Sequence, residues 1–251
     1  LTSFRHKVLL ALLLNLAITS ACAKCSDPPG RGVIWVACDK QNIDLKNTDL
    51  RDAILTRTNF SGADLSGARL DGAELNFALL KGTTFDHARL NNARLVGARL
   101  DNSSLKEALL NDAKLDRAIL DKARFSGSSI KHASFYQAKM PGVDLSHCKL
   151  SGSNLSQADL SAADMQYSDL SRTNMSSANL EDARLNHAIL KEANLEQARL
   201  LNADFSNSNL TEANLIDTNI NEAKLKNPRL DKARWFNRRL CRDDSIDDCR
   251  E

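Results

Sequence analysis

Apolar residues recur along this chain with a fixed period of five. Every residue whose number is a multiple of five, from Leu45 to Trp235, is apolar: 28 Leu, five Phe, three Met, two Ile and Trp235 in 39 positions. At 42% hydrophobic content, chance agreement is on the order of 10⁻¹⁵. The positions two residues earlier, Ile43 to Ala233, hold 25 Ala, ten Ser or Thr, and Ile43, Val143, Cys148 and Pro228. The other three positions of each pentad are mostly polar or Gly. Five residues turn an α-helix by about 500°, so the large residues would drift around it and form no stripe. On a strand, residues two apart share a face, so the small and large residues of one pentad point the same way. Because five is odd, a straight strand would turn the next pentad outward. The chain must therefore bend once per pentad, and repeated bends in one sense build a stacked solenoid. Glycines two positions after the large residue, such as Gly62, Gly67, Gly72, Gly82 and Gly97, suit those corners.

The first 23 residues break the period. Arg5, His6 and Lys7 precede an apolar run from Val8 to Ile18, and Ala21-Cys22-Ala23 offers a small-residue cleavage site before Lys24. This is the layout of a secretory signal peptide, and the run is too short for a membrane span of about 20 residues. The expectation is an exported protein, periplasmic or secreted, with no membrane span. The alternatives are a buried N-terminal helix, or a lipoprotein acylated at Cys22. The 34 basic residues exceed the 32 acidic ones by two, and cleavage after Ala23 removes Arg5 and Lys7. The mature chain then balances, leaving no long-range field to gather nucleic acid.

Segments such as Ala63-Asp64-Leu65-Ser66-Gly67, Ala68-Arg69-Leu70-Asp71-Gly72 and Ala178-Asn179-Leu180-Glu181-Asp182 resemble the A-[DN]-L-x-x pattern of pentapeptide-repeat proteins. The resemblance covers residues 43–235. It implies an all-β, single-domain, right-handed quadrilateral β-helix with four pentads per coil and about ten coils, a rod roughly 45–50 Å long. The expected division is a signal peptide (1–23), an N-terminal cap (24–42), the β-helix (43–235) and a C-terminal cap (236–251). The stretch from Pro29 to Cys38 is similar to leaders of exported members. The stretch from Trp235 to Cys249 is similar to their closing segments, with Asp247-Asp248 replacing the usual Gly. Within an exported protein, Cys25–Cys38 and Cys241–Cys249 are expected as two local disulfides pinning the caps. Four reduced, buried thiols are the alternative.

Candidate chemistry is sparse. His87, His132, His147 and His187 fall on corners, and coils separate those sharing a column by more than metal ligation allows. Asp144, Asp159, Asp164 and Asp169 are the densest carboxylates. Cys148 reads as an inert buried thiol. Neither a phosphate loop nor a nucleophile motif is present, and the expectation is no enzyme, no cofactor and no metal. Residues 62–140 carry 12 basic and nine acidic residues, and residues 141–182 two and six. Arg89, Arg94 and Arg99 would occupy three sides of one coil, with Arg69 below Arg89 and Lys114 above Arg94: a charge-laddered surface, or a patch for a partner. Asn154, Asn174, Asn194 and Asn214 would share a column as an amide ladder. The exposed apolar residues Phe77, Leu79, Val96, Tyr136, Tyr167, Leu201, Ile216 and Phe236 form no single stripe, and Trp235 with Phe236 marks a candidate end contact. The reading is a protein-interaction or structural module with an unknown protein partner, monomeric or dimeric end to end. The alternative from the family is an acidic DNA mimic that binds gyrase or topoisomerase.

Overall fold

The computed structural model describes residues 24–246 and 248–250. The expected signal peptide and Cys22 lie outside them. Every fifth residue from Ile34 to Asn214 forms a parallel bridge with the residue twenty positions later. Twenty residues therefore complete one coil, and four pentads give it four sides. Face 1 carries the bridge residues Asp44 to Lys224, face 2 Asp49 to Arg229, face 3 Ile34 to Arg234 and face 4 Asp39 to Asn219, each at intervals of twenty. All described regular pairing is β, and the sides of the rod are flat ladders one bridge wide.

Each corner is a four-residue turn. At Leu50–Ala53 the Ala53 N–H donates to the Leu50 carbonyl at 3.2 Å, and Asp52 lies at φ +57°. The left-handed position recurs at every corner, and most of its occupants are not glycine: Arg57, Phe77, His87 and Tyr167 all adopt it. Such a conformation costs a non-Gly residue roughly 1–2 kcal/mol. Coil-to-coil hydrogen bonding offsets that cost.

A full account of one pentad explains its sequence. In residues 64–68, Asp64 N–H donates to Ile43 O (3.0 Å), Leu65 N–H to Thr84 O (2.7 Å), Gly67 N–H to Asp86 O (2.9 Å) and Ala68 N–H to Leu65 O (3.0 Å). The remaining donor, Ser66 N–H, finds the side chain of Asp64, Oδ1 at 3.0 Å. Every N–H of the unit is paired, as buried backbone requires. Asp or Asn two residues before the first turn position supplies the same bond at Asn59, Asp144, Asn154, Asp164 and Asn209. At several pentads where that position holds another residue, the acceptor comes from the coil below: Asn76 serves Val96 N–H (3.1 Å), Asp86 serves Lys106 N–H (3.0 Å) and Asp116 serves Tyr136 N–H (3.1 Å). Asp and Asn thus complete the backbone from either of two sites, which is the physical content of the A-[DN]-L pattern.

The Leu, Phe and Met columns and their Ala partners fill the interior, nearly all with no exposed surface. Each buried Leu contributes roughly 1.5–3 kcal/mol before chain entropy is subtracted. Most hydroxyls in the small positions are turned onto carbonyls: Thr83 Oγ1 donates to Phe60 O at 2.8 Å and Ser153 Oγ to Ile130 O at 2.6 Å. The lattice reaches back into the cap, because Ile34 and Asp39 bridge to Ile54 and Asn59. Trp35 closes the core there, packed on Phe60 (centroids 6.3 Å apart) and covered by Lys40, whose Nζ lies 3.9 Å from its ring centre. At the other end the chain folds back antiparallel, pairing Leu240 with Arg234 and Ile246 with Arg229. This covers faces 2 and 3, while Ile220 and Leu225 on faces 4 and 1 stay only partly buried.

Candidate interaction surfaces

The structure distributes the basic residues of interest over three sides. Arg69 bridges Arg89 on face 2, Arg94 bridges Lys114 on face 3, and Arg99 lies on face 4 between Leu79 and Ile119. They form two stacked pairs on neighbouring sides and an Arg on the third. Arg89 reaches Asp71 at 3.2 Å and Arg99 reaches Asp101 at 3.5 Å. These pairs are solvated and contribute little to stability.

Trp235, a candidate for an end contact, is instead core: it is 5% exposed because the returning segment lies over it, with Trp235 N–H on Arg239 O at 2.8 Å. Phe236 packs beside it at 5.8 Å between centroids and stays 37% exposed. Val96, Tyr136 and Ile216 are half-buried, while Phe77, Leu79, Tyr167 and Leu201 are exposed.

The corners hold ladders that sequence reading did not bring together. Side chains at left-handed positions lie over the corner of the next coil, and glycine there makes room. A methyl group at Gly97 would lie 2.7 Å from the Phe77 ring, and one at Gly152 would lie 2.5 Å from His132. His147, Tyr167 and His187 stack in one corner column, with centroids 5.1 and 4.8 Å apart and planes within 5°. A 20-residue coil places two His and a Tyr in register, so the interleaved Tyr167 was the available signal. His87 Nδ1 meets Glu107 at 3.4 Å. Among the described residues no three His, Cys, Asp or Glu side chains converge as a metal site. In the amide column, Asn214 Nδ2 donates to Asn194 Oδ1 at 3.1 Å and Asn194 Nδ2 to Asn174 Oδ1 at 3.4 Å. Each Oδ1 also caps a turn N–H, so the column serves the backbone first.

Both chain ends carry a cysteine pair. Cys25 is bonded to Cys38 with Cα atoms 5.4 Å apart, and Cys241 to Cys249 with Cα atoms 4.8 Å apart. Cys148 is buried, its Sγ 2.9 Å from Phe125 O, and burial pushes its thiol up to about 12. A thiol held protonated in this way is not a nucleophile. Near the C-terminal cap, Arg229 donates to Asp231 at 2.7 Å and holds that carboxyl below its ordinary range. A shallow groove on face 3, lined by Glu212, Asn214, Lys232, Arg234 and Leu240, carries charges of both signs. No described helix is long and apolar enough to cross a membrane.

A cornered rod with a bridge every five residues defines a class of protein. The family model for pentapeptide repeats matches in eight copies, over residues 41–72, 68–106, 108–146, 142–176, 153–191, 178–215 and 188–227, and the chain belongs to the pentapeptide-repeat family. Its fold is therefore the right-handed quadrilateral β-helix. Among solved structures, HetL, a pentapeptide repeat protein involved in heterocyst differentiation regulation in the cyanobacterium Nostoc sp. strain PCC 7120, is similar. It is 26% identical, with a TM-score of 0.64 over 83% of this chain and 92% of HetL. A pentapeptide repeat protein of the Arabidopsis thaliana thylakoid lumen is 27% identical over 42% of this chain and 63% of its own, with a TM-score of 0.31. QnrB1, a plasmid-mediated fluoroquinolone resistance protein, is 21% identical over 64% of this chain and 87% of its own, with a TM-score of 0.41. No curated protein matches the sequence.

Proposed function

We propose that this protein is an exported, non-enzymatic interaction module that presents the flat sides of a disulfide-capped rod to a protein partner. The observation that carries the reading is the placement of cysteine. The four described cysteines outside the repeats pair at the two ends, where an unshielded coil most needs fastening. The one within the repeats is buried and protonated. Paired cysteines in this arrangement suit an oxidising compartment, as does the signal-like start. The rigid bridge lattice fixes outward side chains on a grid, which favours recognition by contact over turnover, and the involvement of HetL in regulation is in keeping with such a role.

A DNA-mimicking surface needs a continuous acidic ladder. The columns here change sign along the rod, as in Asp49–Arg69–Arg89 on face 2 and Glu74–Arg94–Lys114 on face 3, which favours a protein partner of mixed charge. Two measurements test the reading. Cell fractionation with intact-mass analysis after thiol blocking in denaturant should place the protein outside the cytoplasm, with Cys148 blocked directly and the paired cysteines blocked only after reduction. A cytoplasmic, fully reduced protein overturns export. Added to a gyrase supercoiling assay, the purified protein should have no effect, and potent inhibition would replace this reading with the mimic.

A further inference from the structure

Face 4 is divided by charge. On its rungs and flanking corners, residues 56–142 carry Arg57, Lys81, Arg99, Arg117, Lys122 and Lys139 against Asp101, Asp116 and Asp121. Two of those carboxylates are occupied. Asp101 is paired with Arg99 and is 14% exposed, and Asp116 accepts the Tyr136 N–H and the Ser134 hydroxyl. Among the described residues, Arg57, Lys81, Arg117, Lys122 and Lys139 have no carboxylate within 4.0 Å. The upper half of the same face, residues 156–222, carries Asp159, Glu181, Asp182, Glu196, Asp217 and Glu222 against Arg199 alone. Arg199 is held by Glu181 at 2.5 Å, and Arg238 of the closing segment sits on Asp217 at 3.0 Å. Face 2 shows no such division: its upper half matches Lys149, Arg172 and Lys191 with Asp169, Glu192 and Glu212.

We infer that face 4 is the interface of an antiparallel, side-by-side dimer with a second copy of this chain. Two flat rods packed face to face by a two-fold axis have two choices. An axis along the rods sets basic half on basic half. An axis across them sets each basic half on the other copy's acidic half. Charge complementarity selects the second. With the axis between the rungs of Lys139 and Asp159, Lys139 faces the second copy's Asp159, Lys122 its Asp182, Lys81 its Glu222, and the exposed Phe77 its Ile216. The axis repeats each pair. Arg99 faces Arg199 in this register, but Arg199 already has Glu181.

The size of the contact sets its strength. Eight facing rungs at about 4.8 Å and a side about 15 Å wide give roughly 600 Å² per copy, below the usual ~800 Å² of a stable interface. The dimer is therefore of micromolar strength and salt-sensitive.

Sedimentation velocity on the full mature protein tests this. A dimer should form at low salt and weaken at least about tenfold between 50 and 500 mM NaCl. Lys139 and Asp159 also bridge within one chain, so a swap inside one chain would not isolate the interface, whereas mixing two variants does. Lys139→Glu alone and Asp159→Lys alone should each dimerise at least about tenfold more weakly. Mixed one to one, they should form a heterodimer of near wild-type strength, because both contacts are then restored. Lys139 is exposed, whereas Asp159 is half-buried and its Oδ1 accepts the Ser161 N–H at 3.2 Å and Asn179 Nδ2 at 3.1 Å, so circular dichroism and thermal melts would verify the folding of each variant before its association is read. A protein monomeric at about 200 µM in 50 mM salt, a dimer untouched by either substitution, or a mixture no stronger than its parts overturns the inference.

Discussion

The two-site rule for closing the first turn N–H is open to a quantitative test at Val96. Its N–H has one partner, Asn76 Oδ1 at 3.1 Å, because residue 94 is Arg rather than Asp or Asn. Asn76→Ala removes that acceptor at a half-buried corner and should cost about 1 kcal/mol, the net worth of one hydrogen bond. For a chain of this size that lowers Tm by roughly 2–4 °C. Arg94→Asp places a second acceptor two residues before Val96, the geometry that Asp64 uses for Ser66. In the wild-type background it is redundant and should change stability by less than about 0.5 kcal/mol. In the Asn76→Ala background it should restore most of the loss, a coupling energy of about 1 kcal/mol. Arg94→Ala with Asn76→Ala is the control, because it removes the Arg charge without supplying an acceptor, and it should not rescue. Urea unfolding followed by circular dichroism, with hydrogen exchange at Val96 as a local readout, measures all five proteins. An Asn76→Ala protein as stable as wild type, or equal rescue by Asp and Ala at 94, would refute the account of why Asp and Asn populate these positions.

Gly97→Ala should destabilise by about 1–3 kcal/mol through the Phe77 ring and the left-handed backbone, and adding Phe77→Ala should recover the steric part in thermal melts. Ser103 and Ser208 bury hydroxyls without a hydrogen-bond partner among the described residues, so Ser103→Ala should be neutral or stabilising, while Thr83→Ala, which loses a bond to Phe60 O, should cost about 1 kcal/mol in urea titration. The Asp231 carboxyl is held low by Arg229 and by the Asp244 N–H at 2.7 Å. Its contribution is complete above the unfolded value of about 3.9 and is lost as pH falls through the lower folded value. Amides of Leu230 and Lys232 should therefore exchange faster below about pH 4, and Asp231→Asn should reproduce this at pH 7.

How far the sequence could be read depended on the kind of constraint. The inward columns were legible because a one-residue slip anywhere would put Leu in water, so the period tolerates no exception between Leu45 and Trp235. The period placed Trp235 in the inward column, but the segment that covers it returns antiparallel, outside the repeat, and nothing in the period marks that return. The Arg69, Arg89, Arg94, Arg99 and Lys114 group could be placed rung by rung, yet whether neighbouring sides act as one surface is a matter of corner geometry. The stacked rings of His147, Tyr167 and His187 needed the 20-residue coil together with the lean of each side chain over the next corner.

The sequence alone determined the bend in every pentad and the sealed apolar interior, since both follow from an odd period in residues that must avoid water. It also located the cysteines that fasten the two ends. Only the tertiary structure decided which outward side chains meet. It gave Val96 its acceptor from the coil below, laid Phe77 over Gly97 and divided face 4 into a basic and an acidic half. Those contacts join residues about twenty positions apart, and their partners are set by how coils stack, a relation that no local pattern of apolar and polar residues encodes.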